Sequence, residues 1–209
     1  MYSLNKLEKI LDGLSGFSKP KVELEQYATD SHLASRTVFL IQNKFKDIEG
    51  SLICDMGCGC GILSIASFLA GGDVIFSVDI DRDALNIFKE NIIRVKELIS
   101  IDDYGFIELI QADILCLERI FRIKCDTVIT NPPFGTKNNI GKDVKFVEAG
   151  KKISNNVYSL HKSSTRNFLV KKQNGKVLAQ MAFAIPRQFS FHKHNNLFVD
   201  VDLIRYTNN

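Results

Sequence analysis

The apolar positions of this chain fall into two rhythms. Leu4, Leu7, Ile10, Leu11 and Leu14 are spaced three and four apart, which predicts a helix over 4–14, closed by Gly13, Ser15 and Gly16. Leu33, Ala34, Val38, Ile41 and Phe45 predict a second helix, with Asp30 or Ser31 as its cap. From there short, β-rich runs alternate with helical ones. Residues 52–55, 73–79, 106–111 and 125–130 read as strands, the first and last of them buried; 62–70 and the stretch carrying Ala84, Leu85, Phe88 and Ile92 read as helices between them. Such alternation predicts a parallel sheet. Strands at 157–160, 175–185 (closed by Pro186) and 197–206 bring the expected number to seven. In the last, Val199, Val201 and Leu203 alternate with Asp200 and Asp202, as an antiparallel strand with one wet face would. The expectation is one α/β domain over 1–209, with a mostly parallel sheet, helices on both faces, an antiparallel last strand, and 1–48 as an N-terminal helical extension. The stretch 137–145 is expected to be a polar loop suited to a lid or a substrate contact.

Composition adds two constraints. Five cysteines, odd in number and irregularly spaced, argue against a disulfide framework and for a reducing compartment. No apolar run of eighteen residues and no signal peptide is read, so a cytoplasmic or nuclear location is expected. The net charge of +3 hides an asymmetry: residues 135–209 hold 13 Lys+Arg against 4 Asp+Glu, a local +9, and the remainder carries −6. A basic half suits a polyanion; scattered solvated lysines are the plainer alternative.

The chemistry gathers where strands end. The first runs into Met56-Gly57-Cys58-Gly59-Cys60-Gly61 and then a helix. Three alternating glycines allow close backbone approach to a ligand. The spacing is not that of the dinucleotide fingerprint, and the Lys-Ser/Thr of a phosphate-binding loop is missing. Asp55 before the glycines disfavours a diphosphate and suits a cationic group. Cys54, Cys58 and Cys60 leave no fourth ligand nearby, so no metal is expected and small packing roles are. Asp79, 22 residues beyond Gly57, ends the second strand and either takes ribose hydroxyls or shares a capping role with Asp81. Asp113 follows the third strand, where it can accept from an adenine amino group. Gln26, Tyr27 and Thr29 enter a helix, and their spacing alone indicates capping and surface polarity.

The fourth strand ends in Asn131-Pro132-Pro133-Phe134. Two prolines cannot continue a ladder, so the chain leaves the sheet there on a stiff turn. The Asn131 side-chain oxygen and the Pro132 carbonyl are acceptors. Together they can take both hydrogens of a purine's exocyclic amine and so localise a lone pair otherwise delocalised into the ring. Phe134 can stack on a flipped base. A simple Asn-Pro turn is the plainer alternative.

Carboxylates and glycines at the ends of strands one to three, with Asn-Pro-Pro-Phe after strand four, resemble the seven-stranded Rossmann-like methyltransferases that use S-adenosylmethionine. A narrower resemblance rests on Leu24-Glu25-Gln26-Tyr27-x-Thr29, the Asp55–Gly61 loop, Asp79-Ile80-Asp81, Asn131 to Asn139 (NPPFGTKNN), Tyr158 to Ser164 (YSLHKSS) and Val201-Asp202-Leu203-Ile204-Arg205. These resemble the methyltransferase-like protein five family, which makes N6-methyladenosine in small-subunit ribosomal RNA. Ala28 departs from the proline usual in animal relatives. The resemblance implies that Gln26, Thr29, Gly57, Cys60, Ile62, Asp79, Asp113 and Ile114 line the cofactor pocket, and Asp55 and Gly59 of the glycine loop are candidates beside them. It also implies that Asn131, Pro132, Pro133 and Phe134 serve catalysis. It further implies a small zinc-binding activator subunit, expected to add a strand at 106–111. Lys137, Lys162, Arg166, Lys171, Lys172, Arg187 and Lys193 are the candidates for RNA phosphates. His161 either touches the target nucleotide or is a buried structural histidine. Protein glutamine methylation and a non-catalytic ribosome-assembly role are the competing functions.

Overall fold

The computed structural model describes residues 2–99, 105–122, 124–135, 139–186 and 196–207. Among them, seven strands form one sheet in the order β3-β2-β1-β4-β5-β7-β6. They are β1 (Leu52–Met56), β2 (Val74–Asp79), β3 (Phe106–Gln111), β4 (Cys125–Thr130), β5 (Ser154–Lys162), β6 (Lys176–Pro186) and β7 (Asn196–Thr207). The pairs from β3 through β5 are parallel, while β7 runs antiparallel to both β5 and β6. The expected sheet, antiparallel last strand included, is the one observed.

Strand residues alternate between two faces, and the core divides accordingly. Ile53, Ile75 and Ile129 pack with helices α1 (Leu4–Leu11), α2 (Ser31–Phe45), α3 (Ile62–Leu69) and α4 (Arg82–Leu98). Cys54, Val78 and Val128 pack with α5 (Leu117–Ile120), α6 (Lys142–Ile153) and α7 (Arg166–Gln173). Each large side chain buried this way contributes roughly 1.5–3 kcal/mol. The helix starts follow the expected capping: Asp30 accepts from Leu33 N at 2.6 Å and Asp81 from Asp83 N at 3.0 Å.

Several boundaries differ from expectation. Helix α1 stops at Leu11, and β5 starts earlier and ends later than 157–160. The polar stretch expected as a loop to residue 145 becomes helical at Lys142. Helix α6 lies on the sheet through small residues: Gly150 sits so near Val128 and Val157 that a Cβ there would lie 3.1–3.2 Å from their methyls. A contact built on glycine leaves little apolar periodicity to read.

Candidate active site

A cavity of about 300 Å³ opens at the carboxyl ends of β1, β2, β3 and β4, where ligands bind in open α/β sheets. Its floor is the glycine loop. Gly57 N and Cys58 N both donate to Val78 O, at 2.8 and 3.0 Å, which ties the loop to β2. Gly61 starts α3 at φ 90°, and a Cβ there would overlap the buried Phe88 ring at 2.1 Å. The rings of Phe146 and Phe17 press onto Gly57 and Gly59, each 2.9 Å from where a Cβ would stand. Glycine therefore lets two aromatic rings and the loop share one wall of the cavity.

Asp79 lines this cavity and braces the loop. Its Oδ2 accepts from Gly59 N and its Oδ1 from Asp81 N, both at 2.8 Å. Burial pushes its carboxyl above the ordinary range, and these backbone N–H groups oppose the shift. Each oxygen retains a lone pair for a further donor. Cys60, Ile62, Asp113 and Ile114 also line the cavity. Asp113 also caps the turn after β3, accepting from Leu115 N at 2.9 Å. Burial raises the Cys60 thiol to about 12, so it is a protonated wall group and not a nucleophile at neutral pH.

Asp55 departs from its expected role. It lies inside β1, paired in register with Ser77 and Ile129, and is 1% exposed. Its Oδ2 accepts from Ser64 Oγ at 2.6 Å, and Ser64 also meets Ser77. Burial is the main cause raising its carboxyl to about 7. The group braces the floor from beneath and forms no part of the cavity wall, so the expected contact with a cationic ligand is corrected.

The N-terminal segment forms the roof, and Gln26 shows how it is fastened. Its Nε2 donates to Asp81 Oδ2 at 2.6 Å while its Oε1 accepts from Lys21 N at 2.8 Å. Lys21 bridges Asp81 and Asp83, at 2.6 and 2.8 Å. At one end, Asn91 holds Ser15 through both backbone groups. At the other, Asn139 donates to Glu23 O and Glu25 Oε1. Gln26 lines the cavity with its amide already engaged, so its part is to hold the wall in place.

The turn after β4 forms another edge of the cavity. Asn131 and Pro133 line the cavity; Pro132 is buried. Asn131 Nδ2 donates to Thr29 Oγ1 at 2.8 Å, whereas its buried Oδ1 has no hydrogen-bond partner among the described residues. Phe134 stands beside the cavity wall, half-buried. Its ring meets Phe183 edge-on at 6.3 Å, and Lys162 Nζ lies over it at 5.5 Å.

The candidates for RNA contact separate. Lys137, Arg187 and Lys193 fall outside the described residues. Lys171 and Lys172 are exposed in the last turn of α7, and Lys162 borders Phe134. Arg166 is held by Asp202 at 2.6–2.7 Å and by Gln180, so its guanidinium braces β7 and is not a free phosphate ligand. His161 is 1% exposed, inside the β5–β7 ladder, which corrects its expected contact with a nucleotide and leaves the buried alternative. Sequence reasoning missed Phe17 and Phe146, both on the cavity wall; Lys142 and Lys145, from the stretch expected as a lid or substrate contact, lie there as well. Phe17 sits in an aperiodic linker, and Phe146 in a helix whose first turn falls in the expected loop. Their only signal was aromatic residues beside polar ones.

Comparison with known proteins agrees with this geometry. Residues 31–131 match the family profile of ribosomal protein L11 methyltransferases (PrmA). The chain is 40% identical over 210 residues to the Danio rerio rRNA N6-adenosine-methyltransferase METTL5, covering 98% of each chain. To the Drosophila melanogaster rRNA N6-adenosine-methyltransferase Mettl5 it is 41% identical over 214 residues, covering 97% of this chain and 95% of that one. The crystal structure of the Pyrococcus horikoshii protein PH1948 superposes with a TM-score of 0.82 at 30% identity, covering 100% of this chain and 97% of that one. With full-length similarity of this order and the strand-end site in place, the chain belongs to the METTL5 family of rRNA N6-adenosine-methyltransferases.

Proposed function

We propose that this chain transfers a methyl group from S-adenosylmethionine to the N6 amine of an adenosine in small-subunit ribosomal RNA. The observation that carries the reading is Asn131, whose amide is fixed by Thr29 while its buried oxygen is an acceptor without a partner among the described residues. A buried acceptor left unpaired is costly, of the order of 1–3 kcal/mol, and an incoming N–H relieves that cost. The names of the zebrafish and fruit-fly relatives support an adenosine in rRNA as the acceptor.

The cavity suits the donor. Asp79 and Asp113 stand at two strand ends, where carboxylates can accept from ribose hydroxyls and from an adenine amine. The glycine loop brings backbone close to the ligand, and Thr29, Gln26, Cys60, Ile62 and Ile114 complete the wall. When bound, S-adenosylmethionine supplies an electrophilic methyl group on a sulfonium. Asn131 Oδ1 and the Pro132 carbonyl accept the two amine hydrogens and localise the nitrogen lone pair. Phe134 offers a ring face to an extruded base. No strong base is required, because the alkylated nitrogen is acidic and its proton passes to water.

The test is purified protein, labelled cofactor and total RNA, followed by digestion to nucleosides. Label is expected in N6-methyladenosine from the small subunit. Asn131→Ala is expected to bind cofactor and lose transfer. Label in protein, or undiminished transfer by Asn131→Ala, overturns the reading.

A partner belongs to the same proposal. Strand β3 is an edge of the sheet, it contains no proline, and Phe106 is 56% exposed. Such an edge invites pairing. A small zinc-binding activator subunit adding a strand to 106–111 would cover it. Leu109→Pro is expected to abolish co-purification with the activator; ordinary solubility of the chain made alone counts against the pairing.

A further inference from the structure

We infer that Asp143 and His161 form a buried strut that positions the turn after Asn131 against α6, making both of them positioning residues for transfer. The inference rests on the acceptor reading of that turn. His161 is 1% exposed near the end of β5. Its Nε2 lies 3.3 Å from Tyr206 Oη, and the two rings stand edge to face at 6.2 Å. Its Nδ1 lies 3.6 Å from Asp143 Oδ2 and has no hydrogen bond among the described residues. A buried ring nitrogen without a partner is costly. The nearby carboxylate resolves that cost after a shift of a few tenths of an ångström, the kind of tightening that accompanies substrate binding.

Asp143 is what makes this contact matter to chemistry. It lies in the first turn of α6 and is 8% exposed. Its Oδ1 stands 3.8 Å from where a Cβ of Gly135 would lie, against the residue that follows Phe134. One carboxylate oxygen thus borders the open side of Gly135, beside Asn139 O and Gly141 N, and the other faces His161. On either side of it in α6, Lys142 and Phe146 line the cavity, Phe146 pressing on Gly57. The strut therefore joins β5, the acceptor turn and the wall formed by α6. A pure packing role would not require a carboxylate to be buried there. On the β7 side, the register partner of His161 is Asp202, itself held by Arg166 and Ser163.

The full chain carries the test, through Asp143→Asn, His161→Leu and His161→Asn. Leucine fills the volume without a donor; asparagine keeps an N–H near the Nδ1 position. Relative to wild type on small-subunit RNA, His161→Leu is expected to lower kcat about 10- to 100-fold, the cost of misplacing a reacting group. Its cofactor affinity should stay within about threefold, since the lost interaction matters to turnover and not to ground-state binding. His161→Asn should recover most of kcat. Asp143→Asn combined with His161→Leu should lose no more than the worse single variant, because the two act as a unit. Hydrogen exchange gives a readout independent of substrate: 131–135 and the start of α6 should lose protection together in His161→Leu and regain it in His161→Asn. Wild-type kcat in His161→Leu, or unchanged exchange there, overturns the strut. Equal loss of kcat, cofactor affinity and melting temperature in all variants reduces it to packing and overturns it as well. If the wild type methylates no RNA, the acceptor reading fails while the exchange experiment still decides the strut.

Discussion

Thr29 holds Asn131 across the mouth of the cavity, accepting its amide hydrogen at 2.8 Å from a position 102 residues earlier in the chain. The bond fixes which end of the amide is available to a substrate. Replacing Thr29 with Val keeps the shape and removes the acceptor, so the amide can rotate. One such bond is worth about 1 kcal/mol, and the expected loss in kcat is about fivefold. Thr29→Ser should behave like wild type. A Thr29→Val enzyme with normal kcat would mean that the prolines alone orient Asn131.

The roof makes a second case. Lys21 and Gln26 converge on Asp81, whose burial would raise its carboxyl but whose hydrogen bonds to them hold it below the ordinary range. Gln26→Ala leaves Asp81 Oδ2 without that buried donor and Lys21 N without its acceptor, at a cost of about 1–3 kcal/mol. Cofactor affinity is expected to fall about tenfold or more, chiefly through faster release, which stopped-flow displacement would measure. Lys21→Met should show a smaller effect that shrinks further at high salt, because the lysine is part-exposed and screened in the wild type. Equal release rates in wild type and Gln26→Ala would remove the roof from any role in retaining cofactor.

The strands, the glycine loop and the Asn-Pro-Pro-Phe turn were legible because each has a local cause: buried β-rich runs, conformations open to glycine, and proline stopping a ladder. The misplaced residues share another origin. The local pattern places Asp55 and His161 at or beyond a strand end, yet β1 continues to Met56 and β5 to Lys162. One or two more residues in the ladder put each side chain under a helix or a neighbouring strand instead of at the mouth. Boundaries of this kind are set by pairing with β2 and β7, which local pattern does not contain. Phe17 and Phe146 were missed for a related reason: the glycines they rest on are near in space and distant in sequence.

Asp55 gives the pH dependence a sign. Its carboxyl stands at about 7 in the folded chain against an ordinary 3.8, chiefly through burial, so folding favours the neutral acid. The stability this group contributes is fully present below its unfolded value and is lost as pH rises through about 7. The full difference amounts to at most about 4 kcal/mol. Asp55→Asn keeps an oxygen for the Ser64 hydroxyl and removes the charge. Urea midpoints at pH 5 and pH 8.5 should therefore show the variant gaining on wild type as pH rises. Parallel profiles would mean that Asp55 is ionised and satisfied throughout.

Two glycines of the loop look alike in sequence and should fail differently. Alanine at Gly61 meets Phe88 ring carbons at 2.1–2.4 Å, and that ring is wholly buried between α4 and the sheet. The ring has nowhere to go, and the backbone sits at φ 90°, so Gly61→Ala is expected to cost about 3 kcal/mol or more and to lower expression. Alanine at Gly57 meets only the tip of Phe146, at 2.9 Å, on a ring that borders open cavity. That ring can swing, so the fold should survive at a cost of about 1–2 kcal/mol for the left-handed backbone. The moved ring then occupies space meant for ligand, and cofactor affinity should fall more than stability does. Adding Phe146→Ala to Gly57→Ala separates the two causes: affinity should partly return while the backbone cost stays. If the double variant binds no better than Gly57→Ala alone, the added methyl itself blocks the ligand, and Gly57 serves close approach to the cofactor and not the seating of Phe146.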